Sequence, residues 1–293
     1  MSLTATQTAT LQRLAQVHPC YSERAQRSRG RIHLPVAPRC NLGCLHCERA
    51  VGPQARLVEA PGAAARILSP QEAALLVDRV AAQGWLSVVG VAGPGEPLFC
   101  WQTFEALRLV RRSHPELLLC LSTNGLLLPE TLDELLECGV SALTVTINAV
   151  EPDTAERLYQ WAELEGGRQP GRIAAPAILE RQWTGLGRAT EAGMLVKVNS
   201  VLVPGVNGLE LREVARRAGR LGVARHNIMP LIPRGRMRHL PAPDHAMVEQ
   251  VRTECGRYLT QFRGCRQCRA DAVAPPLGLG EGVCCGGIAA TEP

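Results

Sequence analysis

The chain has 293 residues, with 46% hydrophobic and 3% aromatic content and a net charge of +5. This length suits a single α/β barrel, and so apolar a composition excludes a mainly disordered chain. The basic residues form no concentrated stripe of the kind that nucleic-acid binding requires, and no apolar run approaches the roughly 20 residues of a membrane-spanning helix.

The N-terminus and the cysteines bear on the cellular compartment. Residues 1–17 lack the charged start and the apolar stretch of a secretory signal. The 12 cysteines of the chain therefore predict metal or cluster ligation in a reducing compartment, where disulfides rarely persist. We expect a cytoplasmic protein that binds neither nucleic acid nor a membrane.

Apolar runs of strand length alternate with helix-period stretches from residue 31 to residue 262. The predicted strands are 31–37, 86–92, 117–122, 142–148, 195–203 and 224–230. The predicted helices begin near Pro70, Trp101, Pro129, Pro152, Ala177, Gly208 and Pro243. Continuous apolar strands separated by helices imply a parallel sheet covered on both faces. We predict a partial six-stranded α/β barrel over residues 31–262, two units short of a closed eight-stranded barrel, with an N-terminal extension (1–30) and a cysteine-containing tail (263–293).

Three segments lack this periodicity. Residues 166–176 are rich in Gly, Arg and Pro and are predicted to form a surface loop inside the fourth crossover. Residues 51–66, rich in Ala, Gly and Pro, are predicted to form another loop. The residues after Val273 become Gly- and Pro-rich and are predicted to form a mobile tail.

Cys40, Cys44 and Cys47 follow the first predicted strand at CxxxCxxC spacing. A short loop containing a glycine can turn three sulfurs toward one point, as a [4Fe–4S] cluster requires. Three ligands leave one iron open, which distinguishes a reactive site from a closed structural one. That iron can bind S-adenosylmethionine (SAM), so these cysteines are the predicted catalytic ligands of radical SAM chemistry. A zinc site or a closed cluster is the alternative, although zinc usually recruits a second ligand pair that does not follow closely here.

Glycines and polar residues at the ends of the later strands are predicted to bind the cofactor, because the carboxyl ends of parallel strands meet at one edge. Glu96 can accept hydrogen bonds from the SAM amino group or fix the turn that contains it. The predicted cofactor-binding residues are His46, Gly93, Gly95, Glu96, Ser122, Asn124, Thr146, Asn148, Val198 and Asn199. Ordinary strand-end turn chemistry is the alternative for any one of them.

Seven segments, at 18–23, 33–40, 90–95, 119–125, 197–201, 226–231 and 265–272, resemble the NifB family of nitrogenase cofactor biosynthesis proteins. The resemblance runs in order over about residues 17–273 and implies an enzyme that fuses two [4Fe–4S] clusters around a carbide taken from a SAM methyl group. It implies a SAM-binding [4Fe–4S] cluster, SAM, and further [4Fe–4S] clusters as substrates. It also implies cluster donors, a cofactor scaffold or carrier, and an electron donor such as ferredoxin or flavodoxin as partners.

Further cluster ligands are needed for such chemistry, and the resemblance assigns them to His18, Cys20, Cys120, Cys265 and Cys268. The C-x-x-C pair indicates a metal site even without the resemblance. On residue type alone, however, Cys120 is a buried core cysteine and His18 a surface histidine. Cys100, Cys138 and Cys255 are interpreted as packing residues.

One segment departs from the family pattern. Family members carry another cysteine and a Glu-Ser-Arg-Pro-Gly sequence after the triplet. Residues 51–65 contain no cysteine, and only Glu-Ala-Pro-Gly at residues 59–62 partly resembles that sequence. Cys284 and Cys285 are possible substitutes or an accidental pair. A radical SAM enzyme with another substrate, such as a peptide, and a non-catalytic cluster carrier therefore remain alternative functions.

Overall fold

The computed structural model describes residues 5–277 and 286–287 and is organised around one large sheet. In the described residues the strands are β1 (Gly30–His33), β2 (Leu42–Cys44), β3 (Ala50–Val51), β4 (Ala63–Ala64), β5 (Leu86–Val91), β6 (Leu118–Thr123), β7 (Val140–Thr146), β8 (Tyr159–Leu164), β9 (Gly167–Pro170), β10 (Leu195–Leu202), β11 (Arg225–Pro230), β12 (Ala272–Ala274) and β13 (Gly286–Gly287). The helices are α1 (Ala5–Val17), α2 (Glu23–Gln26), α3 (Pro70–Ala81), α4 (Trp101–Ser113), α5 (Leu128–Glu137), α6 (Pro152–Glu156), α7 (Gly171–Glu191), α8 (Leu211–Arg220) and α9 (His245–Gly256).

Six strands of the large sheet run parallel and lie side by side in chain order, as β1, β5, β6, β7, β10 and β11. Their Val, Leu and Ile side chains are buried in one core with side chains of the connecting helices, which explains why the strands are continuous apolar runs. Each predicted strand has its counterpart in this set, so the structure confirms the partial six-stranded α/β barrel.

Most helices begin close to the predicted positions, and α3 begins where a capping sequence marks its first turn. Before α3, the Ser69 hydroxyl accepts a hydrogen bond from the Glu72 amide at 3.2 Å, and the Glu72 carboxylate accepts one from the Ser69 amide at 2.8 Å. The starts of α8 and α9, at Leu211 and His245, lie within about three residues of the predicted ones. No helix in the described part of the chain is both long and apolar enough to cross a membrane.

The prediction of a surface loop at 166–176 is wrong. The segment forms β9 and the start of α7, which begins at Gly171 rather than near Ala177. Strands β2, β8 and β9 make a three-stranded antiparallel sheet, and the Arg168 guanidinium stacks on the Trp161 ring at 3.8 Å. A Cβ at Gly171 would lie 1.8 Å from the Tyr159 carbonyl oxygen, so the chain passes too close to β8 for any larger residue. Cross-strand packing thus overrides the turn-forming composition.

Two other segments predicted to be irregular also contain ordered backbone. Residues 51–66 include part of β3, a 3₁₀ turn at Pro53–Leu57, and β4, which pairs in parallel with β3. The large sheet continues past Val273, because β12 pairs antiparallel with β1 and β13 pairs with β12. Cys284 and Cys285 lie outside the described residues.

Residues 260–274 connect the two edges of the parallel sheet. At the β11 edge, the His226 amide donates to the Thr260 carbonyl at 2.9 Å and the Phe262 amide donates to the His226 carbonyl at 2.7 Å. At the other edge, β12 pairs with β1. The segment therefore lies across the gap that two missing strands leave in the barrel, and it carries Cys265 and Cys268.

A buried ion pair fixes this segment to the loop after the cysteine triplet. Arg269 and Asp271 are 2% and 0% exposed at their side chains, and their closest atoms, Nε and Oδ1, are 2.8 Å apart. Arg269 Nη1 also donates to the carbonyls of Ala55 and Val58, at 2.5 and 2.6 Å. Asp271 Oδ2 accepts from the Ala65 amide at 2.7 Å. The pair therefore determines the path of residues 55–65.

We predict that Asp271→Ala lowers the free energy of unfolding by about 3–5 kcal/mol, because it leaves the Arg269 charge buried without its partner. Urea titration of the anaerobic protein measures this loss. Glu213→Ala is the matched control, since it breaks the partly exposed Arg216–Glu213 pair and should cost less than about 1 kcal/mol. Equal effects of the two substitutions would show that the buried pair does not hold the loop.

Candidate cluster- and cofactor-binding site

The cysteine triplet lies in a loop that the small antiparallel sheet holds in place. The Leu45 amide donates to the Leu158 carbonyl at 2.8 Å, and Leu42 of β2 pairs with Ala162 of β8. A Cβ at Gly43 would lie 2.4 Å from Trp161 Nε1, so glycine is needed for the loop to pack on this ring. β8 therefore shapes the loop on which the triplet lies.

All three thiols of the triplet line one cavity of about 510 Å³. Burial raises the pKa of Cys44, and the nearby Cys47 and Cys40 raise it further. Burial and Glu96 raise the pKa of Cys40 to about 11. No group of three His, Cys, Asp or Glu side chains among the described residues is arranged to hold a single metal ion.

Three soft thiol donors on one wall of a cavity have the chemistry that binds an iron-sulfur cluster. His46, between them, is neutral at physiological pH because burial lowers its pKa to about 4. Its Nδ1 is buried and has no hydrogen-bond partner among the described residues. Such an atom is normally satisfied by a ligand or water, so the loop fits a cluster with a bound organic cofactor.

The turn after β5 lies directly against the backbone that precedes and includes Cys40. The Gly95 amide donates to the Ala37 carbonyl at 2.7 Å, and the Glu96 amide donates to the Arg39 carbonyl at 2.8 Å. A Cβ at Gly95 would lie 2.0 Å from the Arg39 carbonyl oxygen. Only glycine permits this approach, which places the predicted cofactor turn beside the triplet.

Glu96 is buried in this turn and joins it to the end of β6. Its carboxylate accepts hydrogen bonds from Thr123 Oγ1 at 2.5 Å, the Asn124 amide at 2.7 Å and the Leu98 amide at 3.1 Å. Burial raises the pKa of Glu96 to about 7, although these three donors oppose the shift. Asn124 Nδ2 in turn donates to Asn41 Oδ1 at 2.8 Å. Of the two roles predicted for Glu96, the structure shows the fixing of the turn.

Most of the predicted cofactor-binding residues line the cavity. Those that do so are His46, Gly95, Glu96, Ser122, Asn124, Thr146 and Asn199. Gly93, Asn148 and Val198 are not among the lining residues. Asn148 is fully buried and its Oδ1 accepts from the Val201 amide at 2.8 Å, while Val198 belongs to the core. The position of Asn148 therefore matches the alternative to cofactor binding, in which a polar side chain at a strand end bonds to nearby backbone.

The five further ligand candidates line the same cavity as the triplet. They are His18, Cys20, Cys120, Cys265 and Cys268. His18 is 1% exposed rather than a surface histidine. Its Nδ1 accepts from the Cys20 amide at 3.0 Å, which leaves the buried Nε2 without a partner in the described part of the chain. Gln267, between Cys265 and Cys268, has φ +47° and bends the C-x-x-C segment.

Positive charge surrounds the cysteines at this end of the cavity. Burial raises the pKa of Cys20, but the neighbouring Arg31, His18 and Lys197 outweigh it and lower the value to about 5. Burial and the neighbouring Cys20 raise the pKa of Cys120 to about 12. Arg31 Nη2 lies 3.0 Å from Cys268 Sγ. This wall favours an anionic guest.

His33 and Lys197 line the cavity but were not singled out from the sequence as site residues. A Cβ at Gly90 would lie 2.8 Å from Cys120 Sγ and 3.2 Å from the His33 ring, so both side chains lie over this glycine. His33 Nδ1 lies 3.0 Å from the Arg269 carbonyl, which can only accept a hydrogen bond. Nε2 of His33 is therefore the nitrogen with a free lone pair. For His33, the available sequence signal was the alternation of side chains between the two faces of β1.

The loop of residues 51–65, which departs from the family pattern, reaches the cavity but supplies no cysteine sulfur to it. Ala60, Pro61 and Gly62 line the cavity, whereas Glu59 is exposed and does not. Cys100, Cys138 and Cys255 are buried at 1%, 1% and 0% exposure and lie outside the cavity lining, as expected of packing residues.

We predict that Gly95→Ala lowers both the iron content of the anaerobically reconstituted protein and its affinity for SAM, because the added methyl group pushes the turn away from Arg39. Iron analysis and equilibrium SAM binding measure the two losses. Gly187→Ala is the control, since its Cβ would come no closer than 3.8 Å to Leu221 and alanine favours a helix interior. Unchanged iron and SAM binding in Gly95→Ala would contradict the close contact.

Comparison with known proteins agrees with this arrangement. A family model described as "Radical SAM superfamily" matches residues 34–218. Among solved structures, Streptococcus suis SuiB superposes with a TM-score of 0.57 at 13% identity, covering 90% of this chain and 56% of that one. A radical SAM methyltransferase from Sphaerobacter thermophilus gives 0.55 at 21% identity, covering 80% and 65%. These two likenesses show the fold.

Two curated relatives of higher identity carry the same name. The FeMo cofactor biosynthesis protein NifB of Klebsiella pneumoniae is 43% identical over 267 residues, which are 88% of this chain and 57% of that protein. The NifB of Methanocaldococcus jannaschii is 38% identical over 261 residues, 89% of this chain and 86% of the relative. This chain thus spans little more than half of the first relative and most of the second. It belongs to the NifB family of the radical SAM superfamily, which implies a [4Fe–4S] cluster and SAM as cofactors.

Proposed function

We propose that this chain is a radical SAM enzyme of FeMo cofactor biosynthesis that fuses two [4Fe–4S] substrate clusters and inserts a carbide derived from a SAM methyl group. One observation carries the proposal: a single cavity is lined by the triplet and by the second set of ligands, which are His18, Cys20, Cys120, Cys265 and Cys268. An organic substrate would require only the first set.

At the triplet end, Cys40, Cys44 and Cys47 would hold the resident cluster, and SAM would lie against the Gly95 turn and the strand ends. When bound, the cluster supplies the electron that cleaves SAM into methionine and a 5′-deoxyadenosyl radical. Glu96 holds the turn in place through its three hydrogen bonds. Apolar lining side chains such as Val201 exclude water from the radical's path.

At the other end, thiols and imidazoles would bind the substrate clusters. Thiolates are the usual ligands of such clusters, and imidazole nitrogens can replace them. The buried Nε2 of His18 has no partner in the described residues, and the Nδ1 hydrogen bond of His33 leaves its Nε2 available as a ligand. Cys20 lies close enough to Cys120 to raise the pKa of the Cys120 thiol.

The missing cysteine of residues 51–65 need not leave a substrate cluster short of a ligand. His33 lies beside Cys120 and offers a nitrogen donor on the same wall of the cavity. We propose that His33, Cys20 and Cys120 together hold one substrate cluster. Cluster donors would deliver the substrates, ferredoxin or flavodoxin would supply electrons, and a cofactor scaffold or carrier would receive the product.

We predict that the wild-type chain, reconstituted anaerobically, holds substantially more than the about four iron atoms of one cluster. With SAM and a reductant it should release both 5′-deoxyadenosine, from radical formation, and S-adenosylhomocysteine, from methyl transfer. Cys120→Ala should lose part of the additional iron and its paramagnetic signal, while the SAM-responsive signal of the triplet cluster stays. Iron analysis, electron paramagnetic resonance and product chromatography measure these effects.

Cys255→Ala is the matched control, because Cys255 is buried in α9 away from the cavity lining, and it should keep all the iron. About four irons in the wild type with 5′-deoxyadenosine alone would identify a radical SAM enzyme with another substrate, such as a peptide. Additional iron without any SAM product would identify a non-catalytic carrier. Either result would refute the proposed function.

A further inference from the structure

Lys197 is the only lysine among the 32 basic residues of Lys and Arg type in this chain, and it is 4% exposed. Lysine is rarely buried unless its charge is paired. The chain uses arginine at every other cationic position, so a compact ammonium at this one buried position calls for a specific reason.

The surroundings of the Lys197 ammonium are apolar or only weakly polar. Nζ donates to the Cys20 carbonyl at 3.0 Å and lies 5.2 Å from the ring centres of Tyr21 and of Phe262. These contacts hold the ammonium between the N-terminal extension and Phe262, where Lys197 lines the cavity. A carbonyl and two ring faces orient a cation without neutralising it.

No carboxylate in the described part of the chain forms an ion pair with Lys197. The buried carboxylates there are Glu96 and Asp271. Glu96 is engaged by Thr123 and the turn after β5, and Asp271 is engaged by Arg269. Among the described residues, the positive charge of Lys197 therefore lies in the cavity wall without a carboxylate paired to it.

A second buried cation lies behind the same wall. Arg31 is 6% exposed, and its Nη2 lies 3.0 Å from Cys268 Sγ. The second ligand set thus lies beside two buried cationic side chains, Lys197 and Arg31. A buried cation lowers the cost of bringing a negative charge next to it, so this wall suits an anionic guest.

We propose that Lys197 recognises the anionic [4Fe–4S] substrate cluster held by Cys20 and Cys120, and that its charge sets the affinity and the reduction potential of that cluster. This inference rests on the proposed function. A thiolate-bound cubane spreads its negative charge over sulfurs in several directions, which suits a compact ammonium better than the planar fork of arginine. Lys197 is thus a positioning residue for the substrate cluster.

The SAM carboxylate is the other anion that this cavity would hold. The position of Lys197 favours the cluster, because its Nζ is hydrogen-bonded to Cys20, a member of the second ligand set, and not to the turn after β5. The experiment below separates these two anions.

Lys197→Met removes the charge at nearly constant side-chain length, and Lys197→Arg keeps it. We expect Lys197→Met to hold the additional iron with an affinity on the order of ten- to a hundredfold lower, as expected for loss of one near charge at a partly screened site. The reduction potential of the iron that remains should shift to more negative values. Lys197→Arg should recover part of both properties, while the triplet cluster and SAM affinity stay at wild-type values in both variants.

Arg217→Met is the control, since Arg217 is a cation on α8 that does not line the cavity. Its guanidinium lies 4.4 Å from the centre of the Trp183 ring. It should change neither iron content nor potential. The thermal midpoint of each iron-free protein, measured in parallel, separates a charge effect from a folding defect.

Three results would overturn the inference. If Lys197→Met keeps the wild-type content of additional iron and its wild-type reduction potential, the charge of Lys197 does not act on the substrate cluster. Weakened SAM binding with intact additional iron would assign Lys197 to the SAM carboxylate. A lower thermal midpoint with loss of all iron would make Lys197 structural. In each case the wild-type chain still holds its additional clusters, whereas a wild type with about four irons contradicts the proposed function itself and removes the inference with it.

Discussion

Two backbone hydrogen bonds, from Gly95 to the Ala37 carbonyl and from Glu96 to the Arg39 carbonyl, join the segment after β1 to the turn after β5. They are possible only because position 95 has no side chain. Through Glu96 the same contact extends to Thr123 and the end of β6. Hydrogen bonds therefore connect the start of the cluster loop, the cofactor turn and the end of β6 to one another.

The regular part of the fold could be predicted from the sequence because parallel strands buried on both faces are unmistakable as apolar runs. The pairing of β8 and β9 could not, since residues 166–170 have the composition of a loop. They form β9 by pairing with β8, which in turn pairs with β2 of the cysteine loop. The same pairing moves the start of α7 to Gly171. Long-range partners, absent from any local pattern, decided these elements.

The residues of the candidate site likewise fall into those that a sequence motif predicts and those that only the fold brings together. The triplet has a spacing that specifies its chemistry, and the C-x-x-C pair is nearly as informative. His33 and Lys197 carry no such local signature, because neither belongs to a spaced set of ligand-type residues in the sequence. Their importance comes from the neighbours that the fold supplies, which are Cys120 across Gly90 for His33 and Cys20 with two aromatic rings for Lys197.

The segment 260–274 has a further consequence for how the protein matures. It closes the open side of the barrel, with the Phe262 amide bonded at one edge and β12 paired at the other, and it also presents Cys265 and Cys268 to the interior. Closure of the barrel and presentation of these two thiols are therefore the same folding event. Until this segment is in place the cavity lacks two of its candidate ligands, so a complete ligand set requires the closed barrel.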